Sequence, residues 1–159
     1  VASLFISRWD VAISDQVGPE LRNRLGIAIA GRAYRLYCEL LASPRWRDLA
    51  NADARPQRLL WASTGTKDAS LPDTFYIDAL VAPGTVNTIP ENTLLAFADH
   101  GHPGAGMSAE GKDAERVLAD FKDAGVDIDA LAARLQEEGA QAFSDSWDNL
   151  MACIVAKQG

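Results

Sequence analysis

Val1-Ala2-Ser3-Leu4-Phe5-Ile6 runs into Ser7-Arg8, and Leu59-Leu60-Trp61-Ala62 runs into Ser63-Thr64-Gly65-Thr66-Lys67. Each is a short apolar run bounded by polar residues, the pattern of a buried strand. Each also delivers hydroxyls and one cation to its C-terminal end. The first strand is expected over residues 3–7 and the second over residues 58–63, with a third, shorter one over residues 85–88 (Thr85-Val86-Asn87-Thr88). Long helical patterns separate the three, and a parallel crossover needs a dozen or more residues. The expected fold is therefore α/β, with three parallel strands and flanking helices. In such sheets ligands gather outside the carboxyl ends of the strands.

Working outward, residues 10–18 read as a polar connection. Pro19 suits a helix start, and Leu21, Leu25, Ala28, Ile29, Leu36 and Leu40 carry a helical stripe to about Leu41. Ser43-Pro44 ends that helix, and a short extra turn follows. Residues 73–80 read as a helix, Pro90 opens another, and the glycines and proline of residues 100–108 predict a loop. A helix then runs to about Ala124. Asp127-Ile128-Asp129 starts a further one, and Phe143, Trp147, Leu150, Met151 and Ile154 mark a final amphipathic helix.

The chain has 159 residues, a net charge of −7, 48% hydrophobic residues and 23% charged ones. Those fractions fit a globular domain with a real core. The acidic balance argues against nucleic acid or an anionic membrane surface as partner, and no apolar run approaches the ~20 residues of a membrane helix. Two unclustered cysteines, Cys38 and Cys153, imply neither a disulfide framework nor a zinc site and suggest a reducing, cytoplasmic setting. The first residue is not Met and already lies in a strand-like run. The sequence is therefore read as the downstream part of a longer chain.

Arg8 is the sharpest candidate. Its guanidinium is a five-donor fork suited to phosphate or carboxylate, and it follows a strand with Ser7 beside it and Ser3 lower down. The competing reading is a salt bridge to Asp10 or to a neighbouring loop. In Ser63-Thr64-Gly65-Thr66-Lys67, three hydroxyls and one ammonium surround a glycine that permits close backbone approach. The spacing of a nucleotide-binding GxxxxGK loop is absent, and a polar turn capping the next helix is the alternative. Lys67 alone among the lysines lies at a strand end. It is either a phosphate-pairing ammonium or the nucleophile to test for a Schiff base. Asn87 and Thr88 end the third strand and either touch a sugar hydroxyl or cap a helix. His100 and His102 lack a third metal ligand at recognisable spacing, so no metal is expected. Trp9, Trp46, Trp61 and Trp147 read as packing residues. Asp10, Asp68, Asp73 and Asp78 are acid/base candidates by position only, most of them read as solvated or capping.

Several stretches together resemble the bacterial transaldolase family. They are Ser3-Leu4-Phe5-Ile6-Ser7-Arg8-Trp9-Asp10, Pro44-Arg45-Trp46, Leu60-Trp61-Ala62-Ser63-Thr64-Gly65-Thr66-Lys67 and Thr85-Val86-Asn87-Thr88-Ile89-Pro90. The tail from Gly125-Val126-Asp127 to Ser144-Asp145-Ser146-Trp147-Asp148 is similar to that family's C-terminal helices. The resemblance implies the C-terminal part of a (β/α)8 TIM barrel of the class I aldolase type. Residues 1–124 would be its last three βα units and residues 125–159 its helical extension. The implied activity is transfer of a dihydroxyacetone unit from sedoheptulose 7-phosphate to glyceraldehyde 3-phosphate through a lysine Schiff base, in the pentose phosphate pathway, without cofactor or metal.

In that family the Schiff-base lysine and the acidic proton-transfer residues stand on earlier strands, so they are expected upstream of Val1 and no catalytic residue is assigned here. What the resemblance assigns is the substrate end: Arg8 to the phosphate, Ser3 to the substrate, Ser63 to the neighbourhood of the phosphate. Ser7, Thr64, Lys67 and Asn87 are taken as assisting. Some relatives carry an arginine shortly after the serine that Ser63 matches, where this chain has Thr64-Gly65-Thr66-Lys67, and Lys67 is taken to supply the missing cation. The expected partners are sugar phosphates and the remaining barrel half, or a second copy. The alternative reading is a non-catalytic phosphosugar-binding or oligomer-forming half-barrel.

Overall fold

The computed structural model describes residues 1–157. Two compact units divide the chain, the first covering Val1–Ala124 and the second beginning at Gly125. In the first unit the strands β1 (Ala2–Phe5), β2 (Leu59–Ala62) and β3 (Val86–Asn87) form one sheet in the order β1-β2-β3. Both pairings are parallel, with Ser3 opposite Leu60 and Leu4 opposite Trp61, and Leu60 opposite Val86. This is the C-terminal portion of a (β/α)8 barrel, its sheet open among the described residues.

Successive side chains of a strand alternate between faces. Leu4 and Leu59 pack with Trp61 against Ile6, Ala30, Tyr34, Tyr76 and Leu80, which form the buried core under the helices. Ser3, Phe5 and Leu60 therefore share the opposite face. That alternation puts one hydroxyl of the first strand on the side away from the helices.

Six helices of the first unit cover or flank the sheet: α1 (Ile6–Ile13), α2 (Leu25–Ala42), α3 (Pro44–Asn51), α4 (Phe75–Ala79), α5 (Glu91–His100) and α6 (Lys112–Asp123). α3 starts on a local signal. Ser43 accepts a hydrogen bond from the Trp46 N–H at 3.2 Å, and Pro44 fills the first helical position. α2 and α6 lie close enough that a Cβ on Gly31 would stand 2.8 Å from the Ala114 Cβ. Arg32 clamps the same pair through two bonds to Glu115, at 2.9 and 2.6 Å.

Three expectations are corrected. The chain turns helical at Ile6, so Ser7 and Arg8 stand in the first turn of α1, directly past the end of β1, and Asp10 lies on the same helix and not in a polar connection. Ile6, Trp9 and Ile13 recur at helical spacing, and all three are buried. The next helix starts at Leu25, not at Pro19, because Asn23 is left-handed with φ of 60° and the Asp10 carboxylate accepts the N–H groups of Leu25 and Gly26. Its outer stripe also fades, since Leu36 and Leu40 are exposed.

Among its described residues the second unit carries one continuous helix, α7 (Ile128–Ala156), where two were expected. Asp127 caps its start by accepting from the Ala130 N–H at 2.9 Å. Gly139 does not break it, as an isolated glycine in a helix costs only about 1 kcal/mol. Phe143, Trp147 and Leu150 are exposed on it. No described helix is long and apolar enough to cross a membrane.

Candidate functional site

The ends of β1 and β2 are joined side chain to side chain. Ser7 Oγ lies 2.8 Å from Ser63 Oγ, and the Ser7 N–H donates to the Ser63 carbonyl at 3.1 Å. Ser7 is fully buried while Ser63 is half-buried. Ser63 takes φ of 55°, the left-handed region that a serine seldom adopts. The chain leaves β2 through a sharp, over-determined bend at the residue that meets Ser7.

One residue on, the Arg8 guanidinium carbon stands 4.4 Å from the centre of the Phe5 ring. A cation over an aromatic face is held without using its hydrogen-bond donors. The alternative partner, Asp10, is turned elsewhere. Its Oδ1 accepts from Leu25 and Gly26 at 2.9 and 3.1 Å, and its Oδ2 accepts from the Tyr76 hydroxyl at 2.8 Å. Arg8 makes no ion pair among the described residues, and neither does Lys67, which is exposed.

Asp10 is buried with three donors around it. Desolvation raises its pKa above the usual carboxylate range, against the opposing pull of the Tyr76, Gly26 and Leu25 hydrogen bonds. The same burial, with the Asp10 charge beside it, pushes the Tyr76 phenol well up. This cluster ties α1, which carries Ser7 and Arg8, to the start of α2 and to α4. Asp10 is thus a cap, as its sequence position allowed, but a cap for a helix fifteen residues away.

Thr64 is fully buried, and its hydroxyl lies 2.9 Å from Asn87 Oδ1 and 3.0 Å from the Thr88 carbonyl. Thr88 in turn donates its N–H and its hydroxyl to the Trp61 carbonyl, at 2.9 and 3.0 Å. Thr64 and Asn87 thereby lock the end of β2 to the end of β3. Farther along, the Thr66 hydroxyl lies 3.0 Å from the Pro72 carbonyl and 3.1 Å from that of Asp73, curling the segment that carries Lys67. Ser3 is exposed on the sheet face away from the helices.

The fold sets the residues named from the sequence apart. Ser7 meets Ser63, Thr64 meets Asn87 and Arg8 lies over Phe5 at the carboxyl ends of the strands. Lys67 is exposed farther along the loop after β2, and Ser3 sits lower on β1. The reading missed Phe5 as the seat of Arg8, although an aromatic residue three positions before an arginine at a strand end is a usable signal. A cavity of about 370 Å³ lies elsewhere, among Ile27, Gly31, Phe75, Met107, Ala114 and Val117. None of the candidate residues lines it.

The chemistry of the strand ends is that of an anion receptor. Arg8 offers a planar fork, Ser63 a hydroxyl, and the first turn of α1 a helix N-terminus with no side-chain cap. Among the described residues no carboxylate pairs with Arg8 or Lys67.

Comparison with known sequences is consistent with that chemistry. The profile of the Transaldolase/Fructose-6-phosphate aldolase family matches residues 1–154. A transaldolase of Frankia alni is 48% identical over 167 aligned positions, which cover 100% of this chain and 45% of that protein. A transaldolase of Parafrankia sp. (strain EAN1pec) is 46% identical with the same coverage. One of Neisseria meningitidis serogroup C is 41% identical, over 98% of this chain and 44% of the relative. The chain therefore spans a little under half the length of the curated relatives it matches.

Proposed function

This chain belongs to the transaldolase/fructose-6-phosphate aldolase family, and we propose that it supplies the sugar-phosphate side of a transaldolase active site. The single observation that carries the proposal is Arg8: a guanidinium seated on Phe5 at the carboxyl end of β1, with no ion pair among the described residues.

In the proposed reaction a dihydroxyacetone unit passes from sedoheptulose 7-phosphate to glyceraldehyde 3-phosphate. Arg8 holds the phosphate with two parallel N–H···O bonds. The Ser7 and Ser63 hydroxyls share one hydrogen bond at 2.8 Å; in the proposed site Ser7 is the donor, which leaves the Ser63 proton for a phosphate oxygen. Lys67 adds an ammonium at the rim. Ser3 meets a substrate hydroxyl lower in the barrel. Thr64 and Asn87 act on the geometry of the loop, since the Thr64 proton is committed inside. Remote phosphate binding of this kind fixes the ketose so that its carbonyl is presented to the reacting amine.

That amine, in this reading, is none of the four lysines of the chain, Lys67, Lys112, Lys122 and Lys157. A Schiff-base lysine is one withdrawn from water, and Lys67 is exposed. Borohydride reduction in the presence of the ketose phosphate tests this. The proposal expects no adduct on Lys67, and a covalent adduct there would overturn it.

β1 and β3 each pair only with β2 among the described residues, leaving one edge of each open. Unpaired edges recruit strands. The partner proposed is the rest of the barrel, contributed by another segment or by a second copy. Native mass spectrometry reads this out: a stable, partnerless monomer of residues 1–159 counts against both.

A further inference from the structure

We propose that His100 is a positioning residue for the anion-binding loop: through Asp73 it holds the segment that carries Lys67, and it does so most firmly as the imidazolium. The proposal deepens the phosphate reading above and rests on it.

Residues 63–74 connect β2 to α4 without regular structure, and they carry Ser63, Thr64 and Lys67. The front of this segment is pinned by Ser7 and by Asn87. Its far end runs into α4, where Thr74 is buried and bonded to Asp78 at 2.7 Å. Asp68 gathers the middle by accepting from the Ser70 N–H and hydroxyl and from the Asn23 amide. Thr66, next to Lys67, reaches the carbonyls of Pro72 and Asp73. The Asp73 carboxylate then lies 2.9 Å from Nε2 of His100, the last residue of α5. A chain of contacts thus runs from α5 through Asp73 and Thr66 to the residue beside Lys67.

The ring is set between two acids. Nδ1 faces the Asp99 carboxylate at 3.1 Å while Nε2 faces Asp73. Neutral imidazole has one N–H and can donate to only one of them; the other carboxylate would meet a lone pair. Imidazolium donates to both. Among the described residues these two are the charged groups within pairing distance, Asp73 from the loop and Asp99 from α5 itself. Two residues on, the His102 N–H donates to Asp78 at 3.0 Å, fastening the same turn to α4. The two carboxylates raise the His100 pKa above the ordinary histidine range, with Asp73 the larger contributor. A raised pKa means that the tie is complete below the unfolded value and is lost as pH rises through the folded one.

The pair is exposed, with 51% of the His100 side chain and 60% of the Asp73 side chain accessible. Its effect on the loop is accordingly a few-fold one. Sulfate is the probe, because its charge is constant where phosphate titrates. Sulfate affinity of the intact protein is expected to fall about two- to fivefold between about pH 5.5 and pH 8.5. His100→Gln should flatten that profile at the wild-type high-pH level. His100→Arg, cationic throughout, should hold the low-pH affinity across the range. Sulfate binding that needs Arg8 and Lys67 but keeps its pH slope in His100→Gln overturns the positioning role. Sulfate binding that is absent, or indifferent to Lys67→Gln and Arg8→Gln, overturns the phosphate reading beneath it.

Discussion

Ser7 Oγ and Ser63 Oγ sit 2.8 Å apart across the ends of two neighbouring strands, and one of the two hydroxyls is buried. The contact joins α1 to the loop after β2, and it is made by a serine with φ of 55°. The two effects can be separated. Ser63→Ala loses the hydroxyl, keeps the left-handed backbone and leaves the Ser7 hydroxyl without its partner, a cost of about 1–2 kcal/mol. Ser63→Gly loses the same bond but relieves the backbone by about 1 kcal/mol. Urea denaturation should therefore rank the glycine variant above the alanine variant. Both should bind sugar phosphate more weakly than wild type.

Asp10 satisfies three donors at once, so its replacements should differ sharply. Asp10→Ala orphans the N–H groups of Leu25 and Gly26 and the Tyr76 hydroxyl, and is expected to cost about 3 kcal/mol. Asp10→Asn keeps an acceptor for the two N–H groups and can donate to Tyr76, so about 1 kcal/mol is expected. Equilibrium unfolding of the two variants checks the ranking.

Gly26 of α2 lies directly against α1. A Cβ there would lie 2.5 Å from the Ile6 carbonyl oxygen and 2.7 Å from Asp10 Oδ2. The first neighbour is backbone and does not swing aside. Gly26→Ala should destabilise by about 2 kcal/mol, although alanine is the better helix former. A melting temperature equal to wild type would contradict the packing described.

Glu115 accepts from both Arg32 and Arg35, and the Arg32 fork holds its carboxyl below the usual range. A lowered folded-state pKa gives stability that is present above the unfolded value of 4.5 and lost as pH falls through the folded one. The groups are more than a third exposed on average, so the contribution is about 1 kcal/mol at neutral pH. In Glu115→Gln the acid limb of the stability–pH curve should flatten, with the neutral-pH loss shrinking as pH falls below the unfolded value of 4.5.

β1 and β2 were legible because each is an apolar run closed by polar residues, and β3 only as a short β-branched stretch, Thr85-Val86, ahead of Pro90. α1 was not, because Ser7, Arg8 and Asp10 interrupt it and mask the Ile6, Trp9, Ile13 spacing that a helix reading would have caught. The start of α2 is set by Asp10 from another helix, and no local signal near Pro19 or Leu25 records that. The candidate residues were legible as types and positions, yet their division of labour was not. Thr64 looks like Ser63 in sequence, but its hydroxyl turns to Asn87, whose nearness depends on the pairing of β2 with β3. His100 and Asp73 are 27 positions apart and meet only once α5 is placed.

The most direct test of the phosphate-side assignment is the affinity of the protein for fructose 6-phosphate and for fructose, measured for wild type and Arg8→Gln. A charge-assisted bidentate contact predicts a loss of about ten- to hundredfold for the phosphorylated sugar and no change for fructose. Equal losses for both sugars, or no loss for either, would contradict the assignment of Arg8 to the phosphate.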